Sequence, residues 1–237
     1  MAGKNKDKPF EENKRPLSVN EPNLILCEGK DDEQFIIYYL RHLINKEEID
    51  SCFLAREFGG KSKLNETLSA LKNDPNYQYL KSLIIVRDAD TNYTSAIQSV
   101  TKSLLDTGFP VPSKPNQIQI GKPSDSAQDV KVSFSLSPTL SENAENGTLE
   151  DLFLGSLRKE DANQTLEYIQ CFMEYLEGKG RNFGSHRNKS KLHTYFSLEK
   201  KFVSSKVGEA AKYGAFNFDC EAMNSFKFLL QEISKDH

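Results

Sequence analysis

The sequence predicts an α/β protein: a parallel, doubly wound sheet flanked by helices, followed by a helical C-terminal layer. Three observations carry this. Residues 24–27 (Leu-Ile-Leu-Cys) and 83–86 (Leu-Ile-Ile-Val) are short unbroken apolar runs, the pattern of strands buried on both faces. Each run gives way to apolar residues at helical spacing. From residue 147 onward every apolar pattern is helical.

Taken in order, residues 1–20 are charged and punctuated by Pro9 and Pro16, and are expected to form a flexible arm. The first strand, 24–27, runs through Glu28 and Gly29 into a helix carrying Phe35, Ile36, Tyr39, Leu40 and Leu43. Its first turn is acidic, as the helix dipole favours. A second strand starting near Cys52 leads to Gly59-Gly60-Lys61 and a helix with Leu64, Leu68 and Leu71, closed by the turn cluster at 73–76. The third strand, 83–86, stops at Arg87-Asp88-Ala89-Asp90, before a helix carrying Ile97, Val100 and Leu104. Two extended segments follow, 117–120 and 130–136. The second alternates (Val130, Val132, Phe134, Leu136), which predicts a half-exposed or edge strand. Later helices are marked by Leu166 to Leu176, by Leu192, Tyr195 and Phe196, and by Phe226 to Ile233, the last with Asp219 as its expected cap. The expected division is an arm (1–20), an α/β core (21–140) and a helical extension packed on it (141–237), the core running β-α-β-α-β-α-β.

Composition excludes several classes. In 237 residues, 37% apolar and 27% charged content describes a globular chain able to build a core. The longest apolar run, 35–40, is far short of a membrane span, and no apolar stretch suited to secretion follows the start, so no membrane partner is expected. Cys27, Cys52, Cys171 and Cys220 form no C-x-x-C pair, and the four histidines no zinc motif; the expectation is a cytoplasmic chain with reduced thiols. Any metal should therefore sit among carboxylates, as magnesium or manganese does. The net charge of −3 hides opposed blocks: nine acidic and two basic residues over 142–177, then nine basic and two acidic over 179–212.

Sites in parallel sheets form at the carboxyl ends of strands. This sequence places Glu28 at one such end and Asp88 and Asp90 at another. Carboxylates converging there repel one another unless a cation sits among them; the plainer alternative is that they cap helices and line turns. Gly59-Gly60-Lys61 has two readings, a phosphate-holding turn or a tight connection. The structural reading leads, with Lys61 the functional candidate. The basic block, with Lys179, Arg181, Arg187, Lys189 and Lys191 interleaved with aromatics, suits a phosphate backbone or forms a solvated face.

The segment Leu26-Cys27-Glu28-Gly29-Lys30-Asp31-Asp32-Glu33-Gln34-Phe35 resembles the E-G-x-x-D-x-x-F signature of the Toprim domain, and Val86-Arg87-Asp88-Ala89-Asp90 resembles its D-x-D strand. Phe58-Gly59-Gly60-Lys61, Gly147-Thr148-Leu149-Glu150-Asp151 after Pro138, and Lys189-x-Lys191-x-His193-x-Tyr195 extend the likeness over about residues 22–235, toward a stand-alone Toprim-like branch related to the nuclease domain of overcoming-lysogenization-defect proteins. The resemblance implies a Toprim-type, Rossmann-like sheet and a Mg2+- or Mn2+-dependent phosphodiesterase acting on DNA or RNA, with phage defence as one setting. Carried over by position, Glu28, Asp88, Glu150 and Lys191 are the catalytic candidates. Glu28, Asp32, Asp88, Asp90, Glu150 and Asp151 are the metal ligands, and Lys61, Arg181, Arg187, Lys189 and Lys191 the nucleic-acid contacts. Glu150 is favoured over Asp151 for a second metal, since adjacent helical residues point about 100° apart and the longer arm reaches further. The chain lacks the ATPase domain of that branch, so a homodimer or a separate partner such as an ATPase stays open. The rival reading is a Toprim-like nucleic-acid-binding or regulatory module that cleaves nothing.

Overall fold

The computed structural model describes residues 19–50, 52–124, 126–138, 140, 146–157 and 159–235. Most of the expected arm, residues 1–18, lies outside these. Of its last two residues Val19 is buried, packed among the apolar side chains of the core.

A single five-stranded sheet organises the molecule: β1 (Asn23–Cys27), β2 (Phe53–Glu57), β3 (Ser82–Asp88), β4 (Gln119–Gly121) and β5 (Val130–Ser137), in the spatial order β2-β1-β3-β5-β4. β1 pairs in parallel with β2 and β3, and β3 in parallel with β5; β4 alone is antiparallel. The crossovers are α1 (Lys30–Asn45), α2 (Leu64–Leu71) and α3 (Tyr93–Asp106). The fold is Rossmann-like. Because the chain moves from β1 outward to β2 and then back across β1 to β3, the winding reverses between β1 and β3. The carboxyl ends of those two strands therefore flank a crevice that no connection fills.

Alternate residues of the central strands feed two apolar layers. Leu24, Leu26, Leu83 and Ile85 pack with Leu68 of α2 and Val100 of α3. Ile25, Cys27, Ile84 and Val86 pack with Phe35 and Tyr39 of α1. On that second face the C-terminal helices join the same core: α4 (Leu149–Ser156), α5 (Lys159–Gly178), α6 (Arg187–Leu198), α7 (Val207–Lys212) and α8 (Asn224–Ser234). Phe153, Phe216 and Phe35 meet edge-to-face at their junction. Among the described residues no helix is long and apolar enough to cross a membrane.

Two expectations fail. β5 is neither an edge nor half-exposed: β4 covers its flank, and its apolar residues alternate with Ser133, Ser135 and Ser137, which are buried too. Small hydroxyl side chains mimic a solvent face in sequence, yet here Ser135 meets Asn116, which also donates to the Leu140 carbonyl. Asp219 does not cap α8, which starts five residues later; it accepts from Lys46 Nζ at 2.6 Å and lies 2.9 Å from His42 Nε2, tying the final segment to α1.

Candidate functional site

The crevice is lined by backbone before any side chain reaches it. Glu28 donates its N–H to the Val86 carbonyl (3.0 Å), fixing the end of β1 against β3. Ala89 donates to Ser137 (3.0 Å) and Asp90 to Gly147 (2.8 Å), so the segment after β5 folds back over the same edge. Asp90 takes a left-handed φ of 53°, a conformation Asp tolerates better than most residues. Gly147 is needed where it stands: its φ is 147°, and a Cβ there would lie 2.9 Å from Asp151 Oδ2 and 3.0 Å from Pro138.

Two helices open at this edge with the same extended cap geometry, φ −134° and ψ 177° at both Gly29 and Thr148. In α1 the Gly29 N–H donates to Asp32 Oδ2 (3.1 Å). In α4 the Thr148 N–H and hydroxyl both donate to Asp151 Oδ2 (2.7 and 3.0 Å), and Asn188 Nδ2 donates to its Oδ1 (2.5 Å). Asp151 thus has both oxygens engaged and closes the helix end. Glu150, its neighbour, turns instead toward Lys189, whose Nζ lies 2.9 Å from Oε1.

Five carboxylates share the edge. Asp88 accepts the Leu149 N–H at 3.0 Å and is pushed well above the usual carboxylate range by burial and by Asp32, Glu28, Glu150 and Asp90. Asp32 is 9% exposed, and burial with the Glu28 charge raises it to about 7. Glu28 is raised by burial, against the opposing pull of Arg87. Glu150 is lowered: its own burial is outweighed by hydrogen bonds from Lys189 and Thr148. Cations answer only part of this charge. Arg87, 3% exposed, lies 3.5 Å from Glu28 Oε2 and 4.0 Å from Asp90 Oδ2, anchored by its Nη1–H to Ser99 (3.1 Å); Lys61 donates to Asp90 at 3.2 Å. Five carboxylates against Arg87, Lys61 and Lys189 leave a formal surplus of two negative charges.

The residues fit a divalent cation. Buried acceptors with no donor are costly and uncommon. Asp32 Oδ1 accepts no hydrogen bond, and Glu28 Oε2 accepts none either, the cation beside it being Arg87 at 3.5 Å. All the donors are hard oxygens, the chemistry of magnesium and manganese. Among the described residues no three His, Cys, Asp or Glu side chains are gathered into a ready-made cage. Glu150 is held by Lys189, and Asp90 by Lys61 and Arg87.

The basic candidates divide. Lys61 and Lys189 reach the carboxylates. Lys191, a catalytic candidate by sequence, does not: its Nζ donates to Gln170 on α5 (3.2 Å), and its pKa is lowered by burial and by Arg187. On a helix, residues 189 and 191 lie about 200° apart, so both cannot face one site. Arg187 pairs with Glu177 (2.9 Å), and Arg181 packs over Phe183. The Gly60 N–H is used by the Glu28 carbonyl (2.8 Å), so the two glycines form the turn and leave Lys61 as its functional part. Sequence reasoning missed Arg87, which reads as a strand-end residue, and Asn188, which no spacing distinguishes.

Fold and edge together define a Rossmann-like α/β protein with a carboxylate-lined switch point. The chain belongs to the family described as protein of unknown function (DUF3226), whose model matches residues 22–235. No curated protein matches it, and no solved structure does.

Proposed function

We propose that the chain is a Toprim-type phosphodiesterase that uses Mg2+ or Mn2+ to hydrolyse DNA or RNA in the cytoplasm. The observation that carries this is the pair of buried oxygens that accept no hydrogen bond, Glu28 Oε2 and Asp32 Oδ1, beside an Asp88 surrounded by like charge. Glu28, Asp32 and Asp88 would hold the cation, with Asp90 and Glu150 as the carboxylates that Lys61 and Lys189 release to it. A divalent ion there would lower the pKa of a bound water and offset charge on a phosphoryl oxygen. Lys189 and Lys61 bring positive charge to an edge that would otherwise repel a polyanion. Arg87, fixed under the site, keeps Glu28 and Asp90 oriented. The four cysteines are all free thiols, in keeping with a reducing compartment.

The test has two arms. Calorimetry with MgCl2 and MnCl2 should show binding to the wild type and none to Asp88→Ala. Labelled single- and double-stranded DNA and RNA, incubated with manganese, should yield cleavage of at least one polymer. The second reading, a module that binds without cutting, draws on the Lys189–Glu150 ion pair, which occupies the carboxylate a second cation needs. Metal binding with no cleavage of any of the four polymers would select it.

A further inference from the structure

We propose that the α6–α7 connection and α7, residues 199–212, form the surface that carries a nucleic-acid backbone to the carboxylate edge. This rests on the reading of the edge as a phosphodiesterase site and names where its polymer lies. The sequence assigns polyanion binding to the first half of the basic block, but the structure ties three of its five cations to other side chains, while Lys179 and Arg181 lie over Tyr175 and Phe183. Arg187 is paired with Glu177, Lys189 with Glu150, and Lys191 is bonded to Gln170. The second half is different. Lys200, Lys201, Lys206 and Lys212 are all exposed, and none makes an ion pair among the described residues. The acids of this stretch are Glu199 and Glu209, so the segment keeps a formal surplus of two positive charges.

Position gives the patch its use. α7 lies against α1 so closely that a Cβ on Gly208 would sit 2.6 Å from the Asp31 carbonyl oxygen and 2.7 Å from Gln34 Cβ. Its buried residues, Val207, Ala210 and Ala211, share a core with Leu152 and Phe153 of α4. α7 therefore packs on the two helices whose first turns bear Asp32 and Glu150. Lys206, immediately before α7, is two residues from the contact with Asp31, the neighbour of Asp32. Lys206 thus stands beside the first turn of α1, on a segment that also carries the exposed Lys200, Lys201 and Lys212. A phosphate backbone is the partner this chemistry recognises, because a run of single charges on flexible stems matches a regularly spaced polyanion and requires no particular base.

The experiment measures fluorescence anisotropy of a labelled, mixed-sequence single-stranded DNA of about 20 nucleotides, long enough for four contacts, with full-length protein in EDTA at low and fourfold higher KCl. The variant replaces Lys200, Lys201, Lys206 and Lys212 with Gln; a control replaces Arg187 and Lys191 with Gln. Circular dichroism and Tm confirm that each is folded. Single strands give a log–log salt slope of about 0.7 per phosphate contact, so loss of four contacts lowers the slope by about 2.8 and cuts the effect of a fourfold salt change by about 50-fold. The control should retain the wild-type slope. Equal slopes for wild type and the quadruple variant, or an equal loss in the control, overturn the proposal. So does wild-type binding to phosphatidylserine vesicles with none to the oligonucleotide. Binding without metal separates the two readings: a chain that binds through these lysines and never cleaves supports the surface and removes the hydrolase. A chain that cleaves with KM unchanged by the quadruple substitution does the reverse.

Discussion

The Asp88 carboxylate accepts the main-chain N–H of Leu149 at 3.0 Å, across 61 residues of sequence. One oxygen of the residue ending β3 thereby fixes the first residue of α4, so that the helix bringing Glu150 to the edge is docked by the site itself. The contact that positions α4 is thus made by one of the proposed cation ligands, and several outcomes are expected from it.

Stability should depend on pH in the sense opposite to an ordinary salt-bridged acid. Asp32 is raised from 3.8 to about 7 on folding, so between those values the native state binds more protons than the unfolded chain. Its favourable contribution is complete below about pH 4 and is lost as pH rises through about 7. The full span of about 3 pH units corresponds to an upper bound of about 4 kcal/mol. In EDTA, Tm measured by scanning calorimetry should therefore fall from pH 5 to pH 8. Added MgCl2 should raise it more at pH 8 than at pH 5, and an equal rise at both would sink the cation reading.

Asp88→Asn keeps an acceptor for the Leu149 N–H and removes a charge that four neighbours oppose. In EDTA at pH 8 it should raise Tm, by about 2–4 °C for each kcal/mol of repulsion relieved. It should also abolish the MgCl2-dependent increase and any cleavage. A lower Tm with cation binding intact would show that the charge serves structure alone.

Glu150→Gln should reduce cleavage by about 100-fold or more, the scale of losing a group that meets developing charge. Its Tm should stay within about 2 °C of wild type, because Asp151 and Thr148, not Glu150, close the helix end. Retained cleavage with a large loss of stability would leave Glu150 as nothing more than a first-turn acid.

Gly208→Ala tests the docking of α7. With a Cβ at 2.6 Å from the Asp31 carbonyl oxygen, backbone must move, at a cost of about 1–3 kcal/mol. Urea unfolding should show that loss, while Gly155→Ala, where a Cβ meets nothing within 4 Å, should be neutral or slightly stabilising. Equal midpoints for the two would mean that α7 is not held against α1.

The sequence by itself determined the central strands, the helices other than α7, and the edge. Unbroken apolar runs at 24–27 and 83–86 announced parallel strands because burial on both faces leaves no polar alternation to read, and the acids at their ends marked the crevice. What it could not determine depended on neighbours far away in the chain. The place of β5 inside the sheet was hidden because buried serines, such as Ser135 bonded to Asn116, look identical to exposed ones in sequence. Whether Lys189 or Lys191 faced the carboxylates was a matter of helix phase, set by how α6 packs on α4 and α5, and local periodicity leaves that rotation open. The role of Arg87 was equally invisible: a cation at a strand end becomes an anchor only once β1 brings Glu28 beside it, a distance that tertiary structure alone decides.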